Sequence, residues 1–284
     1  MATIISGKEL SQELKDAMKN EVVELVKKYG RTPHLVVVLV GNNPSSISYV
    51  TGKEKACEYV GIKNSTIVLD EATSEEALIN LIEELNIDES VDGILIQLPL
   101  PKHISEEKVI ETISIEKDVD GFHPLNVANL WLKKEAVVPC TPKGIIKLLE
   151  KANVTIAGKN AVVIGRSNIV GLPIYKLLLD RDATVTVVHS KTVDIANVTN
   201  KADILIVAAG KPRMVTKEMV KPGAVVIDVG VNRDDNGKLC GDVDFDAVEP
   251  IAGVITKVPG GVGPMTITCL MENTIECFKR KMQK

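Results

Sequence analysis

Aromatic side chains are scarce: Trp, Tyr and Phe make up 3% of the 284 residues. A core must therefore be built from Val, Ile, Leu and Ala, which suits parallel sheets covered on both faces by helices. A surplus of positive charge is also missing. The net charge is -4, whereas a general nucleic-acid binder needs excess Lys and Arg to displace counterions; no nucleic-acid partner is expected. The five cysteines, Cys57, Cys140, Cys240, Cys269 and Cys277, contain no C-x-x-C pair and read as reduced thiols. Long apolar runs are absent too. Leu35 to Val40 is typical, far short of the roughly 20 residues that cross a bilayer. The N-terminus lacks a basic segment followed by an apolar one, and is not Arg-rich. These absences predict a cytoplasmic protein with no membrane partner.

What remains is a recurring strand–helix alternation. Ser6-x-x-Glu9 is a capping-box pattern, and Leu10, Leu14, Met18, Val22 and Leu25 follow at helical spacing, predicting a helix over 7–29. Strands are expected at 34–40, 65–69 and 93–97, with helices at 44–59, 74–85 and 105–112. A second series has a helix at 142–151, strands at 160–164, 184–188, 204–208 and 224–229, and a helix at 169–180. Val258 to Pro264 is rich in Gly and Pro and reads as a loop, followed by a helix over 265–281. The fold class is α/β: two α/β domains joined by long helices, the second of Rossmann type, with a cleft between them.

The strand ending at Ile164 runs into Gly165-Arg166-Ser167-Asn168-Ile169-Val170-Gly171. That is where a dinucleotide fold places its first turn, with backbone N–H groups facing a phosphate. The glycine spacing is irregular, so on these residues alone the segment fits either a dinucleotide loop or an ordinary strand–helix turn. The next strand ends in His189-Ser190-Lys191-Thr192. It has no acid for a ribose 2′-hydroxyl. With Arg166, it offers cations and hydroxyls suited to a 2′-phosphate, which favours NADP over NAD; a solvated basic loop is the plainer alternative.

Tyr49 and Lys53 lie four apart on a predicted helix and share a face. Short-chain dehydrogenases also use Tyr-x-x-x-Lys, but after the nucleotide loop rather than before it, so the order argues against that family. Gln97 ends a buried strand, where α/β folds gather ligand-binding groups. Asp120 lies in a turn-rich segment, and turn formation alone could account for it. His103 and His123 have no metal-ligand spacing, and no metal is expected. Asp242 and Asp244 read as loop or cap residues.

Several blocks occur together and in order: Gly41-Asn-Asn-Pro-Ser-Ser-x-x-Tyr49-Val-x-x-Lys53, Gln97-Leu-Pro-Leu-Pro101, Lys117-Asp-Val-Asp-Gly-Phe-His-Pro124, Pro139-Cys-Thr-Pro142, Gly165-Arg-Ser-x-Ile-Val-Gly-x-Pro173, His189-Ser-Lys-Thr192, Asp228-Val-Gly230 and Pro259-Gly-Gly-Val-Gly-Pro-Met-Thr266. In this the chain resembles the methylenetetrahydrofolate dehydrogenase/cyclohydrolases. The resemblance implies a folate-binding catalytic domain over 1–140, with the C-terminal helix 265–284 packing back on it, and an NADP-binding Rossmann domain over 141–264. It implies oxidation of 5,10-methylenetetrahydrofolate with NADP and hydrolysis of the methenyl product to 10-formyltetrahydrofolate. Tyr49 would stack on the aminobenzoyl ring, Lys53 act as acid/base, Gln97 hold and tune it, and Asp120 hydrogen-bond the pterin. Leu98, Pro259, Gly260 and Gly261 would border the folate; Gly165, Arg166, Ser167, Ser190 and Val231 would contact NADP. A homodimer through the second domain is also implied. Lys257, where many members have Pro, and Leu172, in the phosphate loop, depart from the pattern. The rival readings are a two-domain dehydrogenase resembling shikimate dehydrogenase, and a non-catalytic nucleotide-binding module.

Overall fold

A computed structural model describes residues 2–234 and 236–283. The chain opens with β1 (Thr3–Ile5) and α1 (Gly7–Tyr29). A first series follows: β2 (His34–Val40), α2 (Pro44–Val60), β3 (Lys63–Leu69), α3 (Glu75–Ile87), β4 (Gly93–Ile96), α4 (Glu106–Thr112) and α5 (Pro124–Trp131). After α6 (Cys140–Lys151) come β5 (Asn160–Ile164), α7 (Gly171–Leu179), β6 (Thr184–Val188), α8 (Ile195–Thr199), β7 (Ile204–Val207) and β8 (Val225–Asp228). The chain ends with β9 (Asn232–Arg233), β10 (Leu239–Cys240), α9 (Phe245–Val248), β11 (Val254–Thr256) and α10 (Val262–Met282).

The chain divides into two compact units, Glu13–Cys140 with Ile267–Lys284, and Met1–Gln12 with Thr141–Thr266. The first holds a parallel three-stranded sheet in the order β3-β2-β4. Every residue of β2 is buried, and its side chains alternate between two cores. Leu35, Val37 and Leu39 face Met18, Val22, Cys57, Leu270 and Ile275. Val36, Val38 and Val40 face Leu78, Ile82, Leu85 and Val109. This double covering is why β2 reads as an unbroken apolar run.

The second unit holds a parallel six-stranded sheet in the order β1-β11-β8-β7-β5-β6. β5 lies between β6 and β7, so the direction of winding reverses there, and ligands of such sheets gather beyond the strands' carboxyl ends at that point. The expected contiguous 1–140 domain meets an exception here. Thr3, Ile4 and Ile5 pair with Val254, Ile255 and Thr256, so the chain's first strand closes the second unit's sheet. A second correction concerns the Gly- and Pro-rich loop. Helix α10 starts at Val262, inside the segment expected to be irregular. Pro264 is its third residue, where no intrahelical N–H is required.

All five cysteines are free and buried. No described helix is long and apolar enough to cross a membrane. Among the described residues, no three His, Cys, Asp or Glu side chains are grouped to hold a metal ion.

Candidate active site

In the first unit, the C-terminal end of β4 and the third turn of α2 bring Gln97 and Lys53 together. Lys53 is 8% exposed, and its Nζ donates to Gln97 Oε1 at 2.9 Å. Gln97 is itself fixed at both ends. Its backbone N–H donates to the Val38 carbonyl of β2 at 2.8 Å, and its Nε2 donates to the Leu98 carbonyl at 2.7 Å. The amide therefore has one orientation, with its oxygen turned to the ammonium.

Burial holds the Lys53 ammonium below the usual lysine range, against the opposing pull of Asp120 and then of the Cys140 and Cys57 thiols. Asp120 is the complementary case. Burial pushes its carboxyl up to about 6, against the pull of Lys53 and with a smaller push from Asp118. A buried amine and a buried acid thus each have their charged form disfavoured by a dry surrounding and favoured by the other. Tyr49, one turn before Lys53, is 37% exposed. Burial of part of it raises its hydroxyl's pKa.

Turn formation belongs to Asp118, not Asp120. The buried Asp118 carboxylate accepts from the backbone N–H groups of Gly121 (3.0 Å), Phe122 (3.3 Å) and His123 (2.8 Å), and from Asn126 Nδ2 (2.8 Å). Gly121 has φ +72°, and a side chain there would meet the Val137 carbonyl at 2.5 Å. The turn is closed by its neighbours, which leaves the Asp120 carboxyl out of that network. The Cys140 thiol lies against it, Sγ 3.9 Å from Asp120 Oδ1. Cys140 belongs to the Pro139-Cys-Thr-Pro142 block, where its residue type alone does not set it apart from a core thiol.

The second unit carries the other expected residues. Gly165 follows β5 with φ +118°, and a Cβ there would meet the Ala208 carbonyl at 2.2 Å. Only glycine fits such a position. A Cβ on Gly171, the first residue of α7, would meet the Gly165 carbonyl at 2.3 Å. Ser167 Oγ accepts from the N–H groups of Val170 (3.2 Å) and Gly171 (3.4 Å), capping the helix entrance. Pro173 lies in the first turn of α7, where it is tolerated. Arg166 and Ser167 are exposed. Ile164 pairs with Val188 across β5 and β6, which sets Arg166 and the exposed Ser190 just beyond adjacent strand ends.

Val231 is 49% exposed in the loop after β8. Two buried aspartates brace that region. Asp228 accepts from the N–H groups of Gly230 (2.9 Å), Asp242 (3.0 Å) and Val243 (3.0 Å). Asp242 accepts from Ala209 (2.6 Å), Gly210 (2.9 Å), Lys211 (2.8 Å) and Asn232 Nδ2 (2.8 Å). The loops beyond β7 and β8 are thereby tied together at the edge of the β5 reversal point. A cradle too tight for any Cβ at the strand–helix turn, with basic and hydroxyl groups in place of an acid, fits a dinucleotide that carries an extra phosphate.

Pro259, Gly260 and Gly261 precede α10 in this unit. The Lys8 N–H donates to the Gly260 carbonyl at 3.0 Å, and a Cβ on Gly7 would meet the Gly261 carbonyl at 1.8 Å. The glycine loop thus packs directly on the first turn of α1. Lys257 is exposed with its Nζ 5.3 Å from the Phe245 ring centre. Leu172 is the second residue of α7, its N–H bonded to the Ser167 carbonyl at 3.0 Å.

Comparison with known proteins gives one answer across the chain. Residues 5–120 match the catalytic domain of the tetrahydrofolate dehydrogenase/cyclohydrolase family, and residues 139–282 match its NAD(P)-binding domain. The bifunctional protein FolD of Listeria innocua is 58% identical over 280 residues, 99% of this chain and 98% of that protein. The crystal structure of the bifunctional FolD dehydrogenase/cyclohydrolase of Campylobacter jejuni superposes with a TM-score of 0.96 at 48% identity, covering 99% of each chain. The Trypanosoma brucei dehydrogenase-cyclohydrolase, solved with NADP cofactor and an inhibitor, gives 0.96 at 40% identity, covering 100% of this chain and 99% of that one. Shikimate dehydrogenase of Thermus thermophilus gives 0.55 at 15% identity, covering 87% and 99%, a likeness of fold alone.

Proposed function

The chain belongs to the tetrahydrofolate dehydrogenase/cyclohydrolase family, and from that premise we propose that Lys53, Gln97, Asp120 and Tyr49 carry its chemistry. The enzyme oxidises 5,10-methylenetetrahydrofolate to 5,10-methenyltetrahydrofolate with NADP and hydrolyses the product to 10-formyltetrahydrofolate. NADP supplies the hydride acceptor. Everything else falls to positioning and proton transfer by the protein.

Tyr49 offers an exposed ring face for the aminobenzoyl group, one helical turn from the amine. Asp120 accepts charge-assisted hydrogen bonds from the pterin, whose orientation they fix. Loss of hydride leaves the folate's one-carbon bridge cationic, and water adds to it. Lys53, its ammonium destabilised by burial, is a base that receives the proton released by that water; the carbinolamine's bond to N5 then breaks, its hydroxyl becoming the formyl carbonyl and the hydroxyl proton passing to N5. Gln97 aims the amine, because its own amide is locked by Val38 and Leu98. Leu98 and the segment Pro259, Gly260, Gly261 border the folate. Gly165, Arg166, Ser167, Ser190 and Val231 hold NADP, with Arg166 and Ser190 reading the 2′-phosphate. The enzyme works in the cytoplasm, in keeping with five buried free thiols, as a homodimer.

The single observation that carries this reading is the 2.9 Å bond from a buried lysine to a fixed glutamine oxygen. A spectrophotometric assay tests it. Methylenetetrahydrofolate with NADP gives NADPH and transient methenyl absorbance, and shikimate gives neither. Turnover with shikimate, or none with the folate, overturns it.

A further inference from the structure

Helix α10 carries an asparagine where its pattern calls for an apolar residue. Asn273 lies among Cys269, Leu270, Met271, Ile275 and Cys277 on the buried face of the helix and is 0% exposed. Asparagine is a poor mid-helix residue, and a buried amide is costly unless its hydrogen bonds are made. They are made, to three groups close in space around one side chain. Asn273 Nδ2 donates to the Val119 carbonyl at 2.8 Å, to the Val138 carbonyl at 3.0 Å and to Cys140 Sγ at 3.4 Å. Val119 immediately precedes Asp120. The Cys140 thiol lies 3.9 Å from Asp120 Oδ1 and 3.5 Å from the Val119 carbonyl.

We propose that Asn273 is a positioning residue for the folate reaction, setting the Asp120 carboxyl through the Val119 carbonyl and the Cys140 thiol. The inference rests on the reading of Asp120 as the pterin's partner. Asp118 fixes the turn after Asp120 through bonds to Gly121, Phe122, His123 and Asn126, all of which lie beyond the Asp120 carboxyl and the peptide ahead of it. Asn273 supplies that other half. One amide spans the segment entering Asp120, the segment entering α6, and α10 itself. A leucine would fill the same space in an apolar face but would leave the Val119 and Val138 carbonyls without this donor.

A double-mutant cycle distinguishes positioning from general structural support. Asn273→Ser raises the KM for methylenetetrahydrofolate by roughly ten- to a hundredfold, the loss expected from a misaligned polar contact. Its Kd for NADP, read by fluorescence, stays at the wild-type value. In an Asp120→Asn background, the same change has less than about one third of that effect, because the carboxyl it positions is gone. An equal factor in both backgrounds, or an unchanged KM, overturns the proposal. If Asn273→Ser does not fold by circular dichroism, Cys140→Ala interrupts the same route at its last contact and enters the same cycle with the same criteria. Should Asp120→Asn alone leave KM unchanged, the reading of Asp120 fails and this inference falls with it. If Asp120→Asn raises KM and the two effects multiply, only the part given to Asn273 falls.

Discussion

Lys53 and Gln97 meet across 2.9 Å, ammonium to amide oxygen, although 44 residues of chain separate them. The contact joins the helix after β2 to the end of β4, two strands that are neighbours in the sheet. The sheet's register therefore sets the position of the amine, and a mobile loop has no part in it.

Lys53→Met should lower cyclohydrolase turnover by about 10²–10⁴-fold, the usual contribution of a positioned base. NADP binding, measured by fluorescence, should be unchanged. Normal hydrolysis of methenyltetrahydrofolate by this variant would remove Lys53 from the mechanism.

Gln97→Ala removes an acceptor that favours the charged amine. The pKa of Lys53, already lowered by burial, should fall further. The acidic limb of the cyclohydrolase pH profile should then move to lower pH, while the maximal rate drops because the amine is no longer aimed. A limb that stays in place would show that Gln97 does not tune Lys53.

Asp120 affects stability with a definite sign. Its carboxyl titrates near 6 in the folded chain, against an ordinary value of 3.8, so between those values the folded state binds the proton that the unfolded state has released. Stability contributed by this group is present below about 4 and is lost as pH rises through about 6. Asp120→Asn cannot ionise. Relative to wild type, it should gain about 2–3 kcal/mol of unfolding free energy between pH 4 and pH 7, while its KM for folate rises. Urea denaturation at both pH values checks this, and a difference that does not vary with pH would refute it.

Arg166→Ala should weaken NADP by roughly ten- to a hundredfold, the worth of a hydrogen bond to a charged group. NAD, lacking the 2′-phosphate, should be affected much less. Equal losses for the two cofactors, measured by equilibrium titration, would mean that Arg166 does not read that phosphate.

The parts of the fold legible in sequence were those whose burial leaves a periodic trace. β2 is apolar at every position because both its faces are covered, and α1 repeats its apolar residues at helical spacing; both occupy the residues expected. β1 left no such trace. It has three residues, two of them exposed, and its place depends on a partner at the other end of the chain. The start of α10 was hidden because Gly263 and Pro264, which usually break helices, are tolerated in a first turn. Of the proposed site residues, Lys53, Gln97 and Asp120 could be picked out by residue type and motif. Cys140 and Asn273 could not, since a buried thiol and a mid-helix amide usually signify packing. The available clue was Asn273's place three residues after Leu270 on an apolar helix face.

The pairing of Thr3–Ile5 with Val254–Thr256 has a consequence for biosynthesis. β1 is made long before the strand it adjoins. Until β11 has been made β1 has no edge to join, and closing so long a loop carries an entropic cost that grows with its length. The dinucleotide half of the protein therefore completes its sheet only once β11 is present. Deleting Thr3–Ile5 would leave β11 as an open edge on a sheet whose own sequence is otherwise intact.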